Sequence, residues 1–376
     1  MKKSTLITLV IVLALGLVVW VGCSTQAEVE AEPAVQEITQ KWEGSGHADA
    51  ASEAFTHWNE EDPAEIPPTC ARCHSTDGMR DFVGADGSAA GVVDAAAQIN
   101  DPISCIACHS SAAHSLDSVK MPSGAELTGT GADSVCMSCH SGMGSSTQVK
   151  DAVAGLPEDE AVADSTLMGA HYFTAAAVHA GADGYMGFQY EGKSYLGAFE
   201  HAEQVNSCTE CHDPHSTHLQ DAPEGQATIC TTCHSDVLGY ETYKVVSMSK
   251  VDYDGDGEVE SMYDEIEGLR AKLMEALAAY SNNVLGTTLA FNFEAYPYAF
   301  IDTNADGTLS AEESAFPNQF KGFTPRMLKA AYNLMLITKE PGAYVHNGKY
   351  AVQLLYDSIE DLSAESGVTT EGMTRP

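Results

Sequence analysis

The sequence predicts a mainly α-helical protein with extensive loops, a small β-hairpin and two halves of unlike character. Three observations point there. Residues 47–240 are rich in Gly, Ala, Ser and Asp and carry few long periodic runs, so that half reads as short helices joined by loops. Ten of the eleven cysteines fall inside it as five copies of one five-residue pattern. From about residue 241, apolar residues recur at helical spacing over long stretches.

The chain opens with "MKKSTLITLVIVLALGLVVWVGC", in which Lys2 and Lys3 precede an uncharged run from Ser4 to Gly22. That is the layout of a secretory signal, and the run is also nearly long enough to stay in a membrane as an uncleaved helix. Its ending, "WVGC", resembles a bacterial lipoprotein signal, which implies that Cys23 becomes the lipidated first residue. Residues 1–22 are therefore read as signal peptide or anchor. Residues 23–46, acidic and without apolar periodicity, are read as a linker. Either way the bulk of the protein is expected outside the cytoplasm on a membrane tether. The formal charge is −36, from 54 acidic and 18 basic residues. Such a surface repels nucleic acid and anionic lipid headgroups, which excludes both as partners of the mature part, and it attracts cations and basic proteins.

The five repeated patterns are "CARCH" at 70–74, "CIACH" at 105–109, "CMSCH" at 136–140, "CTECH" at 208–212 and "CTTCH" at 230–234. C-x-x-C-H is the attachment signature of c-type haem. Each thiol adds to one vinyl group of the porphyrin, and two intervening residues let both sulfurs reach one edge of the ring. The histidine that follows then binds iron from that face. Zinc ribbons and redox dithiols also use C-x-x-C, but neither requires a histidine directly after the second cysteine five times over. No cysteine other than Cys23 is left for a disulfide framework.

On these motifs the sequence resembles the multihaem c-type cytochromes. The resemblance implies a haem-packed architecture over 47–240 holding five haem c groups. The covalent attachment sites are then Cys70, Cys73, Cys105, Cys108, Cys136, Cys139, Cys208, Cys211, Cys230 and Cys233, and the proximal iron ligands are His74, His109, His140, His212 and His234.

Fourteen histidines minus these five leaves nine, enough for a second histidine on every iron. His215, three residues past His212 in "CHDPH", sits too close in sequence to cross to the far face of its own haem, but it can reach the iron of a neighbouring one. His114 follows "CIACH" by a similar step and reads the same way. His201 in "FEHAEQ", His171 in "GAHYFTAAA" at the start of a small-residue helix, and His346 in "YVHNGKY" are further distal candidates. His47, in a W-x-x-S-x-H stretch similar to one in related proteins, is another, with His57 ten residues on along a single helix. His179 and His218 are expected to be ordinary core or surface residues.

The longest gap between motifs holds "GYMGFQYEGKSYLGAF", whose alternation predicts the hairpin. In the C-terminal region, 241–376, Ile266, Leu269, Leu273, Leu277 and Tyr280 mark one helix. Thr324 as cap and Pro325 at the first turn open a second, which stops before Pro341-Gly342, and a third is expected through "YAVQLLYDSIEDL". These amphipathic pieces are expected to pack on the haem region. Two acidic loops resemble EF-hand calcium loops. In "DTNADGTLSAEE", Asp302, Asn304, Asp306, Thr308 and Glu313 stand at ligand positions, with Gly307 at the sixth. "DYDGDGEVESMY" supplies Asp252, Asp254 and Asp256, but its twelfth residue is Tyr263, which leaves Asp264 or Glu265 to serve if the loop is stretched. The preceding "YKVVSMSKV" reads as a strand, so a complete EF-hand is not implied.

Two functional classes remain. One is an electron carrier in which paired histidines close every iron, working with other redox proteins or cytochromes and able to assemble into filaments. The other is a multihaem reductase or oxidase of nitrite, hydroxylamine or sulfur oxyanions, with one open haem. The shortage of basic residues to receive an anion favours the first. A calcium-dependent adhesion protein would leave the five motifs without a purpose.

Overall fold

The computed structural model describes residues 33–201, 205–220, 229–234, 240–247 and 249–376. The predicted signal and Cys23 lie outside the described residues, among which no helix is long and apolar enough to cross a membrane.

Three long helices organise the C-terminal half. Helix α1 (Met262–Leu285) starts where the Ser261 hydroxyl accepts the Asp264 N–H at 3.2 Å and ends at Gly286, whose φ of 67° suits a residue without Cβ. Its buried face carries Ile266, Leu269, Leu273, Ala276, Leu277 and Tyr280, the spacing expected of one side of a helix. Helix α2 (Pro325–Thr338) is capped by Thr324, which accepts the Met327 N–H at 3.2 Å, with Pro325 in the first turn. Helix α3 (Ala343–Ser366) is longer than the sequence suggested and ends at Gly367. It kinks at Asn347, whose φ of −170° and ψ of 69° leave the helical region. The buried Asn347 amide there donates to the Gly197 carbonyl at 3.0 Å and to the His179 carbonyl at 3.4 Å.

The three helices pack on one another, and their apolar core continues into Val119, Met121, Val149, Val178, Met186 and Phe188. Fully buried side chains such as Leu269, Leu273 and Leu277 each contribute about 1.5–3 kcal/mol by leaving water. Elsewhere the chain forms short helices, loops and two-stranded antiparallel ribbons: β1 (Glu65–Ile66) with β2 (Ala97–Gln98), β3 (Ser118–Lys120) with β4 (Glu126–Thr128), and β5 (Leu289–Phe291) with β6 (Ala299–Ile301).

No hairpin forms in 184–199. Its backbone pairs with helix side chains instead: Asn333 of α2 accepts the Phe188 N–H at 2.7 Å and donates to the Phe188 carbonyl at 3.0 Å, while Gln353 of α3 accepts the Leu196 N–H at 2.9 Å. Once helix amides satisfy these groups, no partner strand is needed. Nor, among the described residues of 243–251, is there a strand, Tyr240–Val245 being a 3₁₀ turn.

Candidate metal centres

All five Cys-x-x-Cys-His motifs are single helical turns, on Pro68–His74, Cys105–Cys108, Asp133–His140, Cys208–Cys211 and the 3₁₀ turn Ile229–Thr232. In three of them a backbone bond closes the turn from the histidine N–H to the first cysteine carbonyl: His109 to Cys105 at 2.8 Å, His212 to Cys208 at 2.8 Å and His234 to Cys230 at 2.7 Å. Positions i, i+3 and i+4 share one side of a helix, so both sulfurs and the imidazole face the same way.

Neighbouring turns also meet. Cys139 Sγ lies 3.6 Å from the Arg72 carbonyl and Cys73 Sγ 3.9 Å from that of Cys139, so the first and third motifs are adjacent. The Cys208 N–H donates to Asp133 at 3.1 Å, joining the third motif to the fourth. Asp213 accepts the N–H groups of His215 and Ser216 at 2.9 Å each and an ion pair from Lys41 at 2.9 Å. Burial alone would raise this carboxyl, but those three donors hold it down at about 2 and fix the turn that aims His215.

Each of the five motif histidines faces a second imidazole. Ring centres are 5.9 Å apart for His74 and His171, 6.2 Å for His109 and His215, 6.3 Å for His140 and His47, 6.4 Å for His212 and His346, and 6.3 Å for His234 and His201. Two metal–imidazole bonds of about 2.0–2.1 Å, plus roughly 1.1 Å from each nitrogen to its ring centre, give about 6.3 Å. The donor set therefore fits an iron between each pair. The rings are also prepared as ligands. Nδ1 of His74, His140 and His212 faces a backbone carbonyl, of Ala54 at 2.7 Å, Phe173 at 3.0 Å and Thr217 at 3.2 Å, which leaves Nε2 for a metal. Nδ1 of His346 faces the Glu340 carboxylate at 2.9 Å. His171 differs, with Nδ1 beside the Tyr172 N–H at 2.7 Å, a contact that requires the proton on Nε2 and that ligation would break. Burial lowers the pKa of His47, His171 and His212, favouring the neutral imidazole that binds metals.

The other candidates stand apart. His114 meets His109 edge-on, with centres 5.5 Å apart and planes at 82°, so it approaches the ring that His215 already stacks against at 15°. His57 bonds Glu53 at 3.0 Å and packs on Trp58. It shares no helix with His47, because 47–52 is a turn and the helix is only Glu53–Thr56. His171 does not open a helix either. Its φ of 79° is left-handed, and the helix begins at Ala175.

The two acidic loops share one bonding frame. Asp302 accepts the Gly307 N–H and Asp252 the Gly257 N–H, each at 2.9 Å. Glu313 accepts the N–H groups of Thr303 at 2.9 Å and Ser310 at 3.0 Å; Glu265 accepts those of Tyr253 at 2.7 Å and Glu260 at 3.2 Å. Glu265 thus sits in the second loop where Glu313 sits in the first, the loop being two residues longer. Ligand atoms of Asp252, Asp254 and Asp256 all lie within 4.8 Å of one another. Burial, with Asp256, Glu265 and Asp252 nearby, pushes the Asp254 carboxyl up to about 6. A Cβ at Gly268 of α1 would stand 1.7 Å from Asp254 Oδ2, so only glycine lets this loop seat against the helix. In the other loop Asp302 is 3% exposed and its Oδ1 has no hydrogen-bond partner. An orphaned buried carboxylate oxygen among four more oxygen-bearing side chains is a donor set suited to calcium.

Linear reading did not reveal the ring pairing or the role of Glu340. The nearest signal for the latter is a glutamate six residues before a candidate ligand.

The chain is 25% identical over 381 residues to the C-type polyheme cytochrome OmcC of Geobacter sulfurreducens, covering 84% of this chain and 45% of that one. It is 24% identical over 382 residues to C-type polyheme cytochrome OmcB of the same organism, covering 83% and 46%. The chain thus spans about half the length of the curated relatives it matches. No family model and no solved structure matches it. The relationship supports a multihaem c-type cytochrome with haem c as cofactor.

Proposed function

We propose that the protein is an extracytoplasmic pentahaem electron carrier, tethered by a lipid on Cys23, that works between membrane redox enzymes or other cytochromes and an external acceptor. The observation that carries this reading is the set of five imidazole pairs at 5.9–6.4 Å, one for each C-x-x-C-H motif. Bound haem supplies reversible one-electron chemistry at iron. Everything else falls to the chain. The ten motif cysteines would hold the cofactors, with His74, His109, His140, His212 and His234 as proximal ligands and His171, His215, His47, His346 and His201, in the same motif order, as their distal partners. With both faces taken, no position is left for a substrate. Contacts between motif turns keep the cofactors near one another.

Filament assembly through a histidine serving a neighbouring copy's haem is not needed for this reading, since each proximal ring already faces a ring of its own chain. Calcium, held by Asp302, Asn304, Asp306, Thr308 and Glu313 and by Asp252, Asp254, Asp256 and Glu265, acts in the proposal as a structural staple of the C-terminal half.

Carbon monoxide titration of the reduced protein tests the closed-iron claim. The expected result is no adduct. One stoichiometric adduct per chain overturns the carrier reading in favour of an enzyme with an open iron.

A further inference from the structure

The side chain of Glu340 joins two features that no motif reading connects. It follows α2, before the Pro341-Gly342 turn that leads into α3, and is 3% exposed. Oε1 accepts the His346 Nδ1–H and the Gly342 N–H, both at 2.9 Å, while Oε2 is buried without a hydrogen-bond partner. The turn is built around this contact. A Cβ at Gly342 would stand 2.9 Å from Glu340 Oε1, 2.8 Å from His346 Nδ1 and 2.7 Å from His346 Cε1. No side chain fits there without parting the pair.

Nearby charges do not neutralise the carboxylate. Arg270, across a cavity of about 140 Å³ beside Glu340, is engaged by Glu267 and by Thr338 at 3.1 Å. Lys339 points the other way, to the Phe293 carbonyl at 3.3 Å and over the rings of Tyr172 and Tyr298. Three of the other rings give a direct comparison: Nδ1 of His74, His140 and His212 faces a neutral backbone carbonyl.

We propose that Glu340 is a positioning residue that makes His346 the most electron-donating ligand among the five imidazole pairs and so gives the haem held by His212 and His346 the lowest reduction potential of the set. The inference rests on the histidine pairing proposed above. A buried carboxylate accepting the distal N–H draws that proton toward itself and leaves more negative charge on the ring. A more basic ligand stabilises ferric over ferrous iron, whereas a carbonyl does so less. The chain then has one fixed low-potential station at the side where α2 turns into α3.

The test is Glu340→Gln, which keeps the shape and the accepting oxygen but removes the charge, read by spectroelectrochemistry of the full chain with haem content checked. We expect five low-spin haems as before. The lowest-potential component should move upward by a tenfold or greater change in its reduction equilibrium, about 59 mV for one electron, with the other four unmoved. Unchanged potentials in a spectrally intact variant overturn the inference. If Glu340→Gln fails to assemble, near-infrared magnetic circular dichroism of the wild-type protein decides. One of five charge-transfer bands displaced to higher energy supports the inference, and five coincident bands overturn it. His346→Ala separates the two layers of the argument. A single new high-spin haem there, with potentials unmoved in Glu340→Gln, sinks the tuning role alone, while the absence of any high-spin haem sinks the pairing beneath it.

Discussion

Replacing His215 by alanine isolates one ring of one pair. His215 stacks opposite His109 at 6.2 Å and 15°, held by the Asp213 turn and not by the core, so its removal leaves the surrounding backbone bonds in place. The proposed attachment through Cys105 and Cys108 is untouched, so haem content should stay the same. In the proposed pairing, one of five irons then loses its distal ligand. The expected signature is a high-spin ferric signal of one haem per chain and one carbon monoxide bound per chain after reduction. Stability changes too, because the pair joins residues 106 apart (215 − 109). A cross-link closing a loop of about 100 residues restricts the unfolded chain by about 4–5 kcal/mol in the entropic picture used for disulfides, an upper bound for a coordination bond. His114 provides the internal control. Its ring is 5.5 Å from His109 but edge-on at 82°, so His114→Ala should leave all five haems low-spin. If His215→Ala remains fully low-spin and unreactive while His114→Ala does not, the stacking argument is wrong and the second motif pairs with its own trailing histidine.

Other consequences follow from the C-terminal half. Chelating calcium should lower the melting temperature, and Glu313→Gln should weaken terbium luminescence in the 302–313 loop; a melting temperature unmoved in excess chelator removes the staple. Asn333→Ala strips hydrogen bonds from the Phe188 N–H and carbonyl and from Ser358, each partner buried, and should cost about 2–5 kcal/mol in denaturant unfolding. Arg326→Met removes ion pairs to Asp159 at 2.7 Å and Asp361 at 2.6 Å. Asp159 is held below its usual range mainly by the Arg326 hydrogen bond, so its contribution is present above the unfolded carboxylate pKa and lost as pH falls. Asp361 is raised by burial and opposed by Arg326, so without the arginine its ionised form destabilises the fold as pH rises. Both signs agree: the deficit, about 1–2 kcal/mol at pH 7 after allowing for solvent screening, should shrink toward pH 4.

Local chemistry was legible in the sequence, and contact chemistry was not. Cysteine spacing put both thiols and the following histidine of each motif in reach of one cofactor, a local property that the helical turns found there satisfy, since i, i+3 and i+4 meet on a helix. Thr324-Pro325 marked a helix start for equally local reasons. Glu265 could be suspected because the acidic loop lacked a carboxylate at its twelfth position. The pairing of His171 with His74, or of His346 with His212, depends on how loops of different length return, and no periodicity encodes that. The 184–199 segment misled because its alternation is that of a strand, whereas Asn333 and Gln353 from later helices take up its backbone groups.

The central claim is that this polypeptide closes five haem irons, each between two of its own imidazoles. Near-infrared magnetic circular dichroism of the oxidised protein, normalised to its haem content, tests it most directly. The account predicts five bis-imidazole low-spin ferric haems per chain. Fewer than five haems, a methionine-ligated band or a high-spin component would contradict it.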